Sequence, residues 1–335
     1  MLELDGSEGG GQLFRSALAF SAMTGTAIEM TDVRGSRPDP GLRPQHLAVL
    51  DVLADISNAT VHGREIGATT VTFDPEDPRG GRYSADIGTA GSIPLLFDAV
   101  VPLATVLEEP LVLTATGGTD VQWSPPMAYH RQVKLPVLAD HGVHAGVTVD
   151  RPGFYPAGGG EATLCLAPST LESFALGDPG GLVGARIYAT ASMDLQDADV
   201  ATRQATAAAD ALAAAGVDVT AVTTQHSVTP STGSSLVIRL DFEASVAGVS
   251  ALGERGKPAE HVASEAVDRA LDVRDSPAAV DAHLADQLVP FLAAAGGEIS
   301  IPDVTDHVES HCRLLAAFGL DIEPVQDVTG LTLVG

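Results

Sequence analysis

The segment VTDHVESHCRLLAAFG, residues 304–319, holds the histidine best suited to chemistry. Asp306 or Thr305 can cap a helix here, and Glu309 stands at capping-box spacing from Asp306. His307 then falls in the first helical turn, where the helix dipole disfavours imidazolium and favours a nearby anion. A neutral imidazole keeps a free lone pair, which attack on a phosphorus atom requires. His311 lies one turn on along the same face, so a His-x-x-x-His metal pair is a rival role. An ordinary surface histidine beside a cap is a third. Metalloprotease chemistry needs Glu directly after the first histidine, and Val308 stands there.

Three glycine-rich loops could bring backbone N–H groups close to a phosphate: EGGGQ (8–12), GGTD (117–120) and GFYPAGGGE (153–161). The first opens directly into a helix, whose N-terminus favours anions. It is neither GxGxxG nor a GK[ST] loop, and tight turns explain such glycines equally well. Arg15, Arg34, Arg37 and Arg43 crowd the first part of a chain poor in cations. Arginine presents a rigid fork to phosphate, and DVRGSRPDPGLRPQH sets three of them beside Pro and Gly. Glu8 and Asp98 offer the oxygen ligands that magnesium or manganese prefers.

Forty-four Asp and Glu face 18 Lys and Arg, a formal charge of −26, and only Lys134 and Lys257 are lysines. Such a balance argues against a general nucleic-acid binder with a basic stripe. It fits adaptation to a very salty cytoplasm, where the Debye length falls to roughly 3 Å at about 1 M salt. Any phosphate must then be held by a few well-placed contacts. Cys165 and Cys312 are too few for a disulfide framework or a four-thiolate metal site, and their apolar settings predict buried free thiols. No apolar run reaches membrane-spanning length and the start lacks a signal-peptide pattern, so a cytoplasmic protein without membrane contact is expected.

The elements that position these residues recur. A helix, a Gly-containing turn, a strand, a second helix and another strand appear in 12–61, again in 92–149 and again in 282–325. Aligning the second helices puts Leu53, Leu138 and Leu315 at equivalent places, 85 and 177 residues apart. Roughly 90 residues are therefore extra in the second interval. They carry their own strands (ARIYATAS, VDVTAVTT, SSLVIRLDF) and Ala-rich helices. The expected division is repeat unit 1 over 1–80, unit 2 over 81–175, an inserted α/β domain over 176–275 and unit 3 over 276–335. Alternating strands and helices make the class α/β.

The blocks DGSEGGGQLFRSAL, RGSRPDPGLRPQHL, IGTAGSIPLLFDAV, GGTD followed by SPP, RPGFYPAGGGE, GERGKPAE and AHLADQLVPFLA resemble those of RNA 3′-terminal phosphate cyclases. They follow the family's order and cover nearly the whole chain. The resemblance implies three packed βαβαββ-type units, related to those of enolpyruvate-transferring synthases, with a smaller α/β domain inserted before the last. It implies an ATP-dependent ligase that converts an RNA 3′-phosphate end to a 2′,3′-cyclic phosphate, through a covalent histidine–AMP. His307 matches the nucleophile and Glu8 the metal-binding glutamate for Mg2+ or Mn2+, with Asp98 a further candidate metal ligand of this chain's own. Arg15, Arg34, Arg37 and Gln45 match phosphate contacts; Pro126, Tyr129, His283, Asp286 and Gln287 match the adenosine surround.

The chain departs from the family's pattern in four places. The loop before GGGQ is two residues shorter, Asp98 replaces a common Gln, His283 a stacking tyrosine, and His311 a frequent Asn. A second reading is a catalytically silent relative that assists ribosome assembly, although silent members lack the histidine. A third is a sugar-modifying transferase on the same repeated fold, against which the GFYPAGGG block argues.

Overall fold

The computed structural model describes residues 1–326 and 330–335. The first sheet holds β1 (Leu2–Asp5), β2 (Ile28–Thr31), β3 (Thr60–His62) and β4 (Val71–Asp74) in the order β1-β2-β4-β3. Its first pair is parallel and the other two pairings are antiparallel. The second sheet repeats this with β5 (Gly81–Asp86), β6 (Leu111–Gly117), β7 (Ala145–Arg151) and β8 (Gly160–Leu166), in the order β5-β6-β8-β7. A third copy begins with β9 (Phe174–Leu176) and is completed much later in the chain.

Between lie β10 (Leu182–Ser192), β11 (Val219–Ser227), β12 (Ser234–Phe242) and β13 (Val246–Leu252), a separate sheet ordered β11-β10-β12-β13. Two helices, α6 (Val200–Ala214) and α7 (Ala259–Asp275), bury their alanine-rich faces against it and form a core of their own. The third sheet then gains β14 (Gly297–Ile301), β15 (Glu323–Gln326) and β16 (Leu331–Val334), with β9 parallel to β14. Its first strand thus precedes the segment that interrupts it.

Each repeated sheet carries helices: α1 (Gly11–Thr24) and α2 (Pro44–Ile56); α3 (Ile93–Val100), α4 (Met127–Tyr129) and α5 (Leu135–Asp140); α8 (Ala282–Ala295) and α9 (Asp306–Ala317). A single π-type turn, His130–Lys134, joins α4 to α5. Leu53, Leu138 and Leu315 are all fully buried in one core shared by the three repeats, as their spacing predicts. The mixed α/β class of the sequence reading is the observed one.

The thiols correct the sequence expectation: Cys165 is exposed and Cys312 half-buried, both free. Along β8 exposure alternates, and Cys165 falls on the outward side of the LCL run.

The two later glycine loops serve packing. A Cβ on Gly153 would lie 2.3 Å from the Gly160 nitrogen and 2.5 Å from the Gly117 oxygen, so backbone meets backbone there. Gly153 donates its N–H to Thr119 Oγ1 at 2.9 Å, and Ser235 of β12 donates to the buried Asp120 at 2.7 Å. Ala157 donates to Ser231 Oγ at 2.9 Å. GGTD and GFYPAGGG therefore lock the second repeat onto the β10–β13 sheet.

Two buried polar contacts hold the helices in register. Lys134, 1% exposed, donates to Asp98 Oδ1 at 2.7 Å, and His130 Nδ1 lies 3.1 Å from the same oxygen. Burial alone pushes the Asp98 carboxyl up, but Lys134 and His130 hold it well below the usual carboxylate range. His311 on α9 meets Ser16 Oγ of α1 at 2.6 Å and Gln12 Nε2 at 3.4 Å. It also faces the Asp286 carbonyl, which lacks its helical donor because Pro290 stands four residues on in α8.

Removing one partner of a buried ion pair strands the other charge, at a cost of about 3–5 kcal/mol. Lys134→Met should lose that much in urea unfolding, and adding Asp98→Leu should restore part of it. Equal loss in single and double variants would contradict the pairing. Burial, then the charges of His307 and Arg15, lowers the His311 imidazole from 6.5 to about 3. The unfolded chain therefore takes the proton first, and stability falls as pH drops from about 6.5 towards 3, by about 1.4 kcal/mol per pH unit. His311→Asn should flatten the pH 7-to-5 stability slope by that amount; an unchanged slope refutes the assignment.

Candidate active site

A cavity of about 1010 Å³ opens where the repeats meet the β10–β13 sheet. One face of α1 forms a wall: Gln12, Arg15, Ser16, Ala19 and Met23, spaced three or four apart. The opposite face, with Phe14, Ala17 and Leu18, is core. α8 presents His283, Asp286, Gln287 and Pro290 at the same helical spacing, and α9 presents His307 and His311. Ser250, Ala251 and Leu252 of β13 close another side, with Lys257 and Arg269 beyond.

Helix α1 begins at Gly11 with no side-chain cap and no acidic residue in its first turn, so its N–H groups stay available. Gly11 is required by contact: a Cβ would lie 2.1 Å from His46 Nε2. His46 Nδ1 accepts from the Arg43 N–H at 3.1 Å. Burial, then Arg15, Arg34 and Arg43, lowers its pKa to about 3, leaving a neutral ring beside the guanidinium groups. The RPQH run assigns His46 no role; its packing against Gly11 does.

The arginines differ in what they touch. Arg34 sits at φ 56° and folds onto its own loop, donating to the Asp39 and Gly41 carbonyls at 2.9 and 2.8 Å. Arg37 reaches the start of α1, its Nη2 close to Gly10. Among the described residues, neither Arg15 nor Arg37 has a hydrogen-bonding or ion-pair partner. Burial lowers the Arg15 guanidinium to about 10, partly offset by Asp98, so it stays charged at neutral pH. Gln45 lines the cavity and accepts weakly from the Ser92 N–H at 3.5 Å.

Thr305, rather than Asp306, caps α9: its Oγ1 accepts from the Val308 N–H at 3.1 Å. Glu309 is therefore one position too late for a capping box. The same hydroxyl donates to Asp286 Oδ1, tying α9 to α8. Burial pushes the Asp286 carboxyl up, while Thr305 and the nearby His307 and His283 rings pull it down. His307 is exposed on the cavity side, and among the described residues no group hydrogen-bonds its ring.

Tyr129 and Pro126 are buried, unlike His283. The Tyr129 hydroxyl donates to Asp281 Oδ1 and Oδ2 at 2.8 and 2.9 Å. Asp281 caps α8 through the His283 and Leu284 N–H groups, and accepts from Gly248 of β13 at 2.9 Å. Tyr129 borders the cavity as a fixed ring, and Pro125 lines it where Pro126 was expected.

Glu8 and Asp98 differ in their surroundings. Asp98 borders the cavity, but Lys134 and His130 already hold its Oδ1. Glu8 is 84% exposed, lies outside the cavity lining and faces Arg313 at 3.8 Å. Among the described residues no group of three or more His, Cys, Asp or Glu side chains converges for a metal, so a His307–His311 metal pair gains no further ligand.

A family model described as RNA 3′-terminal phosphate cyclase matches residues 6–322. Proteins named RNA 3′-terminal phosphate cyclase are similar along nearly their whole length. The one from Halobacterium salinarum is 46% identical over 96% of this chain and 95% of its own. That from Archaeoglobus fulgidus is 39% identical over 95% of both chains. That from Pyrococcus furiosus is 37% identical over 95% of this chain and 93% of its own. The chain belongs to the RNA 3′-terminal phosphate cyclase family.

Proposed function

We propose that this member of the RNA 3′-terminal phosphate cyclase family uses ATP to close an RNA 3′-phosphate into a 2′,3′-cyclic phosphate, with His307 carrying AMP between them. The family match supports the overall reaction. One observation carries the choice of nucleophile: among the described residues, a histidine whose ring makes no hydrogen bond faces the cavity that also holds two guanidinium groups with no carboxylate at ion-pair distance.

The His307 lone pair attacks the α-phosphorus of ATP, the bond to the β-phosphate oxygen breaks, and pyrophosphate leaves. The ring's other nitrogen sheds its proton to solvent. An oxygen of the RNA 3′-phosphate then attacks the same phosphorus, the P–N bond breaks as the imidazole takes a proton back from solvent, and RNA-(3′)pp(5′)A forms. Finally the ribose 2′-oxygen attacks the RNA phosphorus, its proton is lost, and AMP departs as the ring closes. His307 is regenerated.

Arg15 and Arg37 offer forks to the phosphates, with Arg34 and Gln45 beside them and the open N-terminus of α1 behind. His283, Asp286 and Gln287 on α8 face the adenosine, and the buried Tyr129 and Pro126 give that side a rigid backing. Magnesium or manganese would arrive with the ATP phosphates, since magnesium keeps several waters and needs few protein ligands. Among the described residues, no helix is long and apolar enough to cross a membrane. Action in a salty cytoplasm accords with the acidic surface. The silent-relative reading loses ground because the histidine is present and accessible.

With α-labelled ATP and magnesium in concentrated salt, the wild-type chain should acquire a covalent adenylate that His307→Ala abolishes. Label that survives this substitution would remove His307 from the reaction. Arg15→Ala should lower kcat/KM for ATP about 10- to 100-fold, the range for losing a hydrogen bond to a charged group. Unchanged kinetics would mean Arg15 contacts no phosphate.

A further inference from the structure

Trp123, the chain's single tryptophan, is 94% exposed. It stands at φ 59°, a left-handed backbone that bulky residues avoid. Among the described residues it has no ring contact and no hydrogen bond. An indole left in water from a strained backbone gains nothing within the protein. The connection on either side is nevertheless fixed. Val121 is buried, Gln122 Nε2 donates to Glu254 Oε1 at 3.3 Å, Ser124 Oγ meets Ser92 Oγ at 2.5 Å, and Met127 N–H donates to the Thr119 carbonyl at 2.9 Å. The indole projects at the cavity.

The proposed reaction brings two nucleobases to this cavity, the adenine of ATP and the base at the RNA end. The cavity volume of about 1010 Å³ stands at the upper limit for small-molecule sites, leaving room for more than a nucleotide. A polynucleotide must enter from solvent and remain partly in it, so the most exposed aromatic group on the lining meets the RNA first. Charge points the same way. Affinity for nucleic acid usually comes from cations that displace counterions, a route closed to a chain of net charge −26 and weak in concentrated salt. Stacking on an aromatic ring needs no net charge and accepts any base.

We propose that Trp123 is a stacking platform for the 3′-terminal base of the RNA substrate. This rests on the cyclase reading above, and it adds a contact that recognises the polynucleotide rather than ATP.

Because there is one tryptophan, its emission reports on this position alone. Titrating wild-type protein with a short 3′-phosphorylated RNA should quench it. AMP, or the same RNA with an abasic 3′-terminal residue, should leave it nearly unchanged. Trp123→Ala should raise the KM for RNA roughly 5- to 150-fold, the range for loss of one base–aromatic stack, and Trp123→Phe should recover most of it. Equal quenching by AMP would assign the indole to adenine and overturn the proposal. An unchanged RNA KM in Trp123→Ala, with wild type still taking label from ATP, would overturn the stacking proposal alone. Absence of that label on wild type would overturn both readings.

Discussion

Holding a polyphosphate in a protein with 44 acidic and 18 basic residues requires that a few cations be kept from their own carboxylates. The fold does this by keeping a few arginines away from carboxylates, while others, such as Arg64, Arg203 and Arg239, pair with them. Both lysines are spent internally, Lys134 on Asp98 and Lys257 on Glu265. Among the described residues, Arg15 and Arg37 have no ion-pair partner at the cavity, and Arg34 is fastened to carbonyl oxygens. Guanidinium suits this duty because it keeps its charge when partly buried, as Arg15 does at about 10. A neutral His46 completes the wall without adding a proton that would compete for the same space.

The site belongs to no single repeat. Its walls come from α1, from the connection before α4, from α8 and α9, and from β13. Small buried groups fix their relative placement. Asp281 joins α8, Tyr129 and β13 through one carboxylate; Thr305 joins α9 to Asp286; His311 joins α9 to α1. Each is satisfied by several partners, the condition under which a buried polar group specifies geometry rather than weakening the core. His307 is thus held through the cap beneath it, while its own ring stays free.

Glycine plays two parts that a sequence pattern cannot separate. In EGGGQ, Gly10 and Gly11 line the cavity and let His46 and Arg37 approach the start of α1. In GFYPAGGG, the block most distinctive of the family, glycines let strands and loops touch backbone to backbone and fasten the β10–β13 sheet. The second loop acts on the site through the wall it holds.

Read alone, the chain determined its α/β class and its family, and it offered a threefold repetition and a set of candidate site residues as expectations. These follow from periodicity and motif order, which are local properties of the polymer. Leu53, Leu138 and Leu315 fell into one shared core because a repeated pattern buries equivalent faces. Tertiary structure decided which polar groups are spent on each other. Asp98 accepts from Lys134, 36 residues on. His311 meets Ser16, 295 residues away. Tyr129 gives its hydroxyl to Asp281, 152 residues on. Cys165 looked buried until its strand face was known. Hydrogen bonds and ion pairs between distant segments depend on ångström placement, which neither spacing nor composition encodes.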